Sequence, residues 1–256
     1  MNSLPDLIKR YTIKHDRKIA AICRPLNEYL NIPVFTYYHI EHDGKFCFLS
    51  NFPEQSDFYY SEKLYQANPY LTDPTLLRSG AVTLASTPVP EYQEDIQMSE
   101  SKFHLYNTFL ILEKSGDNLD GFFFGTREHH PAFANHYLNN LELLKKFGHH
   151  FVQEMKPLLQ GMRRDGYNLH MAKGAAFLER DQTLPLSSKN PKADRFLKSI
   201  SPLSAREQEC LELFKQGKSA QATAATLGLS RRTVEHYFES IKHKLNCYSK
   251  WDLLNR

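Results

Sequence analysis

The chain has 256 residues, of which 41% are hydrophobic and 24% charged, and a net charge of +3. That length suits one large domain or two smaller ones, and the apolar fraction supports a core and argues against disorder. No apolar run approaches the roughly 18 residues of a membrane span, and MNSLPDLIKRYTIKHDRK lacks an apolar signal core, so a cytoplasmic location without membrane contact is expected.

The four cysteines, Cys23, Cys47, Cys210 and Cys247, form no CxxC pair, which fits free thiols in a reducing compartment. Charge is unevenly placed. Residues Ser201 to Arg256 hold nine Lys and Arg against six Asp and Glu, whereas the other 200 residues hold 23 of each sign. The whole excess lies in the last fifth of the chain, which favours an anionic partner there.

In chain order, Ile8 to Leu30 reads as a helix. PVFTYYHI (Pro33 to Ile40) and KFCFLS (Lys45 to Ser50) read as strands joined by a turn at HDG. A second hairpin follows: YNTFLILEK (Tyr106 to Lys114), a turn at SGDN, then GFFFGT (Gly121 to Thr126). From Pro131 to Leu159 the residues Phe133, Tyr137, Leu141, Leu144, Phe147, Phe151 and Met155 fall at steps of three and four, predicting one long helix. This pattern predicts an α+β sensor domain over residues 1–165, an antiparallel sheet flanked by helices in a PAS/GAF-like sandwich. Its strand aromatics (Phe35, Tyr37, Tyr38, Phe109, Phe122, Phe123 and Phe124) are either ordinary core or the lining of a pocket. Residues 166–198 lack sustained periodicity and include Pro185, Ser187, Ser188, Asn190 and Pro191, so they are read as a linker.

Residues 199–256 carry the clearest local grammar. Ser204-x-x-Glu207 is a capping box at a helix start, and Leu203, Cys210, Leu211 and Phe214 are its apolar face. Gly217 ends that helix, Gly228 ends an Ala-rich second one, and Ser230 caps a third. SKWDLLNR is expected to form a short final helix, with Trp251 in the core. The third helix, SRRTVEHYFESIKHKL, has an apolar face of Val234, Phe238, Ile241 and Leu245 and an outer face of Arg232, Glu235, His236, Glu239 and His243. Two short helices joined by LGLS predict an all-α, four-helix helix-turn-helix unit, whose second helix enters the major groove of double-stranded DNA.

LSAREQECLELFKQGKSAQATAATLGLSRRTVEHYFESIKHKLN resembles the DNA-binding domain of LuxR-type bacterial transcription regulators. The resemblance covers about 55 residues and implies a transcriptional regulator, a homodimer on a palindromic operator. It implies phosphate contacts from Lys218, Ser219, Arg231, Arg232, Thr233, Ser240 and Lys244, and base-facing positions at Glu235, His236 and Glu239. Ser230, Lys242 and His243 complete the expected DNA-facing set. The chain departs from the family pattern at Thr223, where Ile is usual, and at Tyr237, where His is common. A base-facing carboxylate accepts from the N4 amine of cytosine; the alternative is that a glutamate orients Arg232 or His236 through a helical side-chain pair.

Quorum-sensing members of the family bind acyl-homoserine lactones through a Trp-x3-Tyr-x8-Asp-Pro signature. Here Asp73-Pro74 matches, Tyr60 stands at the Trp position, and Tyr65 falls one residue late. Tyr60, Tyr65 and Asp73 are therefore the candidate ligand residues, and the departures favour an orphan-type regulator that senses another ligand or none. The hairpin-rich order argues against a phosphorylated receiver domain. No P-loop, GxSxG, HExxH or dinucleotide fingerprint occurs. The run Glu128–His130 and the pair His149-His150 invite a metal reading, but their histidines are read as solvent-facing or polar-packed, so no metal, cofactor or catalytic group is assigned.

Overall fold

The computed structural model describes residues 3–179, 183–188, 203–245, 247 and 253. The chain divides into two compact units, Met1–Asn190 and Pro191–Arg256.

The N-terminal unit is built on one antiparallel six-stranded sheet in the order β3-β4-β5-β1-β2-β6. The strands are β1 (Val34–Ile40), β2 (Lys45–Ser50), β3 (Gly80–Thr83), β4 (Tyr106–Ser115), β5 (Asn118–Thr126) and β6 (Tyr167–Asn168). Both expected hairpins form: Tyr38 pairs with Phe48 across the first, and Ser115 with Asn118 across the second. Helices are α1 (Leu4–Leu7), α2 (Asp16–Leu30), α3 (Pro53–Ser61), α4 (Pro90–Phe103), α5 (Phe133–Asn139), α6 (Leu141–Glu154), α7 (Lys156–Asp165) and α8 (Leu169–Lys173).

Strand alternation sorts the aromatic residues between two faces. Phe35, Tyr37, Phe109, Phe122 and Phe124 turn to one side, where Phe35 meets Phe147 and Phe151 of α6 with ring centroids 5.0 and 4.8 Å apart. Phe109 stacks on Tyr137 of α5 at 4.7 Å. Gly148 permits this close approach of α6: a Cβ there would lie 2.6 Å from the Phe122 ring. Tyr38 and Phe123 turn to the opposite face, under α3 and α4. Gly121, paired with Tyr38, leaves the bed in which that ring lies, because a Cβ would stand 2.1 Å from it.

Three expectations are corrected. The helix expected from Ile8 is preceded by α1, and a π turn over Ile8–Thr12 and a 3-10 turn over Ile13–His15 interrupt it before α2 begins. The long helix from Pro131 to Leu159 is three helices. Pro157 at the start of α7 removes a donor and crowds the carbonyl one turn back, breaking the run at Met155. Residues 167–179 and 183–187, read as linker, pack in the N-terminal unit: β6 extends the sheet beside β2, and Leu169, Phe177, Leu184 and Leu186 are buried. Their anchors are single side chains at irregular spacing, which leaves no periodic trace.

The C-terminal unit contains α9 (Ala205–Lys215), α10 (Ala220–Leu227) and α11 (Arg231–Lys244), each begun by a serine that accepts from a backbone N–H: Ser204, Ser219 and Ser230. Leu203, Cys210, Ala224, Val234, Phe238 and Ile241 form its core. Gly217 and Gly228 adopt the left-handed conformation that ends α9 and α10. The expected final helix with Trp251 lies outside the described residues, apart from buried Leu253. All four cysteines are free and buried.

Candidate nucleic-acid interface and ligand cavity

The helix expected to enter the major groove is α11. Val234, Phe238 and Ile241 are buried, and Phe238 meets Phe214 of α9 at 5.2 Å. Arg231, Arg232, Glu235, His236, Glu239, His243 and Lys244 are exposed, while Thr233, Tyr237, Ser240 and Lys242 are half-buried. The two faces expected from the spacing are therefore both present.

The acidic residues have defined partners. Glu235 accepts from Arg231 one turn earlier at 2.8 Å, and Glu239 pairs with Lys242 at 2.7 Å. The helical side-chain pairing foreseen as an alternative is realised, but with Arg231 and Lys242 in place of Arg232 or His236.

Glu207 does more than cap α9. Its carboxylate accepts from Ser204 N at 2.6 Å, from Ser240 Oγ at 2.6 Å and from Lys244 Nζ at 2.7 Å. Burial alone would raise this carboxyl, but the hydrogen bonds from Lys244, Ser240 and Ser204 outweigh it and hold the group down at about 2. Two expected phosphate ligands, Ser240 and Lys244, are thereby turned onto Glu207. Of the four Lys and Arg side chains on α11, only Arg232 has no carboxylate partner among the described residues. Beyond the helix, Lys218 reaches Thr226 Oγ1 at 3.3 Å, and Ser219 caps α10.

The N-terminal unit holds a partly open cavity of about 90 Å³ between the sheet and helices α3 and α4. That is several times the space one water needs, and less than the roughly 300–1,000 Å³ of a site for a drug-sized ligand. Of the three candidate ligand residues, Tyr60 lines it and the other two do not. Tyr65 is buried beside Tyr167, whose hydroxyl donates to it at 3.3 Å. Asp73 is engaged locally, accepting from Thr75 N and Thr75 Oγ1 at 2.8 Å each, so it acts as a turn cap.

The carboxyl group that does face the cavity is Asp95 of α4. Its Oδ2 is buried and has no hydrogen-bond partner among the described residues. Burial, and secondarily the neighbouring Glu94, push the group up to about 6. Asp95 shares a helix face with Tyr92 and Ser99, which stand three residues before it and four after it. That spacing was the available signal in a helix otherwise too polar to stand out. Among the described residues no cluster of three or more His, Cys, Asp or Glu side chains is placed to hold a metal ion, and no helix is long and apolar enough to cross a membrane.

Residues 201–255 match the family model of bacterial regulatory proteins of the luxR family. The C-terminal unit is a LuxR-family DNA-binding domain. The chain that carries this LuxR-type domain is a transcriptional regulator. No curated protein matches the chain. Among solved structures it is similar to SdiA in complex with octanoyl-rac-glycerol, at 13% identity over 93% of this chain and 86% of that one, with a TM-score of 0.42. It is also similar to Escherichia coli SdiA in the space group P6522, at 14% identity over 94% of this chain and 92% of that one, with a TM-score of 0.38. Neither likeness bears on what this chain binds.

Proposed function

We propose that the protein is a non-enzymatic, cytoplasmic regulator that binds a palindromic operator as a homodimer, under control of a small molecule held in the N-terminal cavity. The observation that carries the DNA half of this reading is the exposed face of α11, which leads with Arg231 and Arg232 directly after the Ser230 cap. A helix N-terminus with two guanidinium groups suits phosphate, and the next outward positions, Glu235, His236 and Glu239, reach base edges. Lys218, Ser219 and Thr233 add phosphate contacts, and Lys242 and His243 flank the groove. Ser240 and Lys244 position the helix through Glu207.

Arg232 is the decisive residue because no internal carboxylate competes for it. Arg232→Ala should weaken binding to every DNA sequence by roughly tenfold, in line with loss of a charge-assisted contact of about 1.5 kcal/mol. Fluorescence anisotropy of the full chain on DNA selected from a random pool measures this; unchanged affinity would refute the docking.

The sensing half rests on this cavity and the unpartnered Oδ2 of Asp95. A ligand acts by its differential affinity for two arrangements of the protein. Filling the cavity by Ser99→Phe should therefore alter DNA affinity in the same assay, and an unaltered affinity in a folded variant would refute ligand control.

A further inference from the structure

The cavity walls have a one-sided electrical character. Tyr38, Tyr59, Tyr60, Tyr92 and Phe123 line it together with Asp95, and no Lys, Arg or His among the described residues does. Aromatic faces are the negative side of a ring quadrupole and attract cations. Burial holds the phenols of Tyr38, Tyr59, Tyr60 and Tyr92 well above their ordinary range, so they remain neutral rings. Both sources of field at this cavity therefore favour positive charge.

The hydrogen bonding points the same way. Asp95 Oδ2 is an acceptor withdrawn from water with nothing to accept from among the described residues. A buried acceptor left unmatched is costly, more so when ionised, and a ligand that supplies the missing donor removes the penalty. Two polar groups beside it on the wall are matched within the protein: Tyr59 Oη accepts from Asn68 Nδ2 at 2.9 Å, and Ser56 Oγ donates to the Phe52 carbonyl at 3.1 Å. Among the described residues, Asp95 Oδ2 is thus the one fully buried polar side-chain atom of the wall left without a partner.

We propose that this cavity binds a small organic cation, a protonated amine or quaternary ammonium head, with its charge at Asp95 and its alkyl surface against the tyrosine rings. This deepens the sensing reading above and rests on it. An anionic head group is disfavoured, because it would set a second negative charge beside Asp95. Near neutral pH the carboxylate is the major form of Asp95, since its titration is centred at about 6.

The test compares choline with 3,3-dimethylbutan-1-ol, its neutral isostere, by isothermal titration calorimetry on the full chain near neutral pH. The two probes share shape and apolar area and differ in charge. Choline is expected to bind at least roughly tenfold more tightly, and Asp95→Asn should collapse that ratio while leaving the weaker alcohol binding in place. Asn matches Asp in size and is neutral at a site where burial opposes charge, so the variant keeps its fold, as near-UV circular dichroism checks. Equal or tighter binding of the alcohol to the wild-type chain overturns the cation assignment and leaves the cavity standing as a ligand site. A ratio that survives Asp95→Asn overturns it also. Binding of neither probe overturns it too, and ligand control is then judged separately by the effect of Ser99→Phe on DNA affinity.

Discussion

Thr223 lies fully buried in α10, and its Oγ1 has no hydrogen-bond partner among the described residues. Replacing it by valine keeps the β-branched shape and exchanges the hydroxyl for a methyl. Measured in proteins, a buried hydroxyl without a partner costs about 1–3 kcal/mol, so Thr223→Val should stabilise the C-terminal unit by about 1 kcal/mol or more. A gain of 1 kcal/mol slows exchange through unit-wide opening roughly fivefold. Hydrogen–deuterium exchange of the full chain, read at amides within α9 to α11, measures the change where it arises, without interference from the N-terminal unit. Thr223→Ser is the control. It keeps the hydroxyl and deletes a buried methyl, and should speed exchange at the same amides. Unchanged or faster exchange in Thr223→Val would mean that the hydroxyl has a partner and that the reasoning is wrong.

The depressed Glu207 carboxyl gives a pH prediction with a fixed sign. Its folded-state value, about 2, lies below the ordinary value of about 4.3, so its stabilisation is complete above about 4.3 and is lost as pH falls towards 2. Glu207→Gln should lower stability at neutral pH and flatten the acid loss, which thermal melts across that range would show. Glu235→Ala and Glu239→Ala should release Arg231 and Lys242, raise general DNA affinity several-fold and relax sequence choice. Site selection from random DNA by wild type and variants tests this, and identical preferences would sink the base-reading role. Gly148→Ala should destabilise the N-terminal unit by about 1–3 kcal/mol through overpacking against Phe122, as urea denaturation would register.

Legibility along the sequence followed the range of the interactions. Caps at Ser204 and Ser230, the stops at Gly217 and Gly228, and both hairpins are signalled within four residues of where they act. So is the two-faced pattern of α11. Two contacts of Glu207, from Ser240 and Lys244, were hidden because those residues lie far from it in the chain. Strand β3 is four residues long and is specified by its pairing with β4, so nothing local announced it. Helix α4 buries Tyr92, Ile96 and Ser99 but is mostly polar, which concealed both the helix and Asp95. Asp73 drew attention through a dipeptide match, whereas its carboxylate is taken up by Thr75. A spacing motif reports which residue types are present; their free valences depend on neighbours in space.

The ion pairs on α11 also bear on how the protein searches DNA. Three of its four Lys and Arg side chains enter any encounter already matched to a carboxylate. Counterions are released from DNA only by charge that is newly offered to phosphate. The helix thus holds back most of its formal charge until a site draws Arg231 or Lys242 away from its glutamate. On the vast excess of wrong sequences in a genome this keeps residence short. Paired in this way, the acidic residues of α11 are expected to act as a brake on non-productive binding, which faster dissociation of wild type than of Glu235→Ala from non-operator DNA would show.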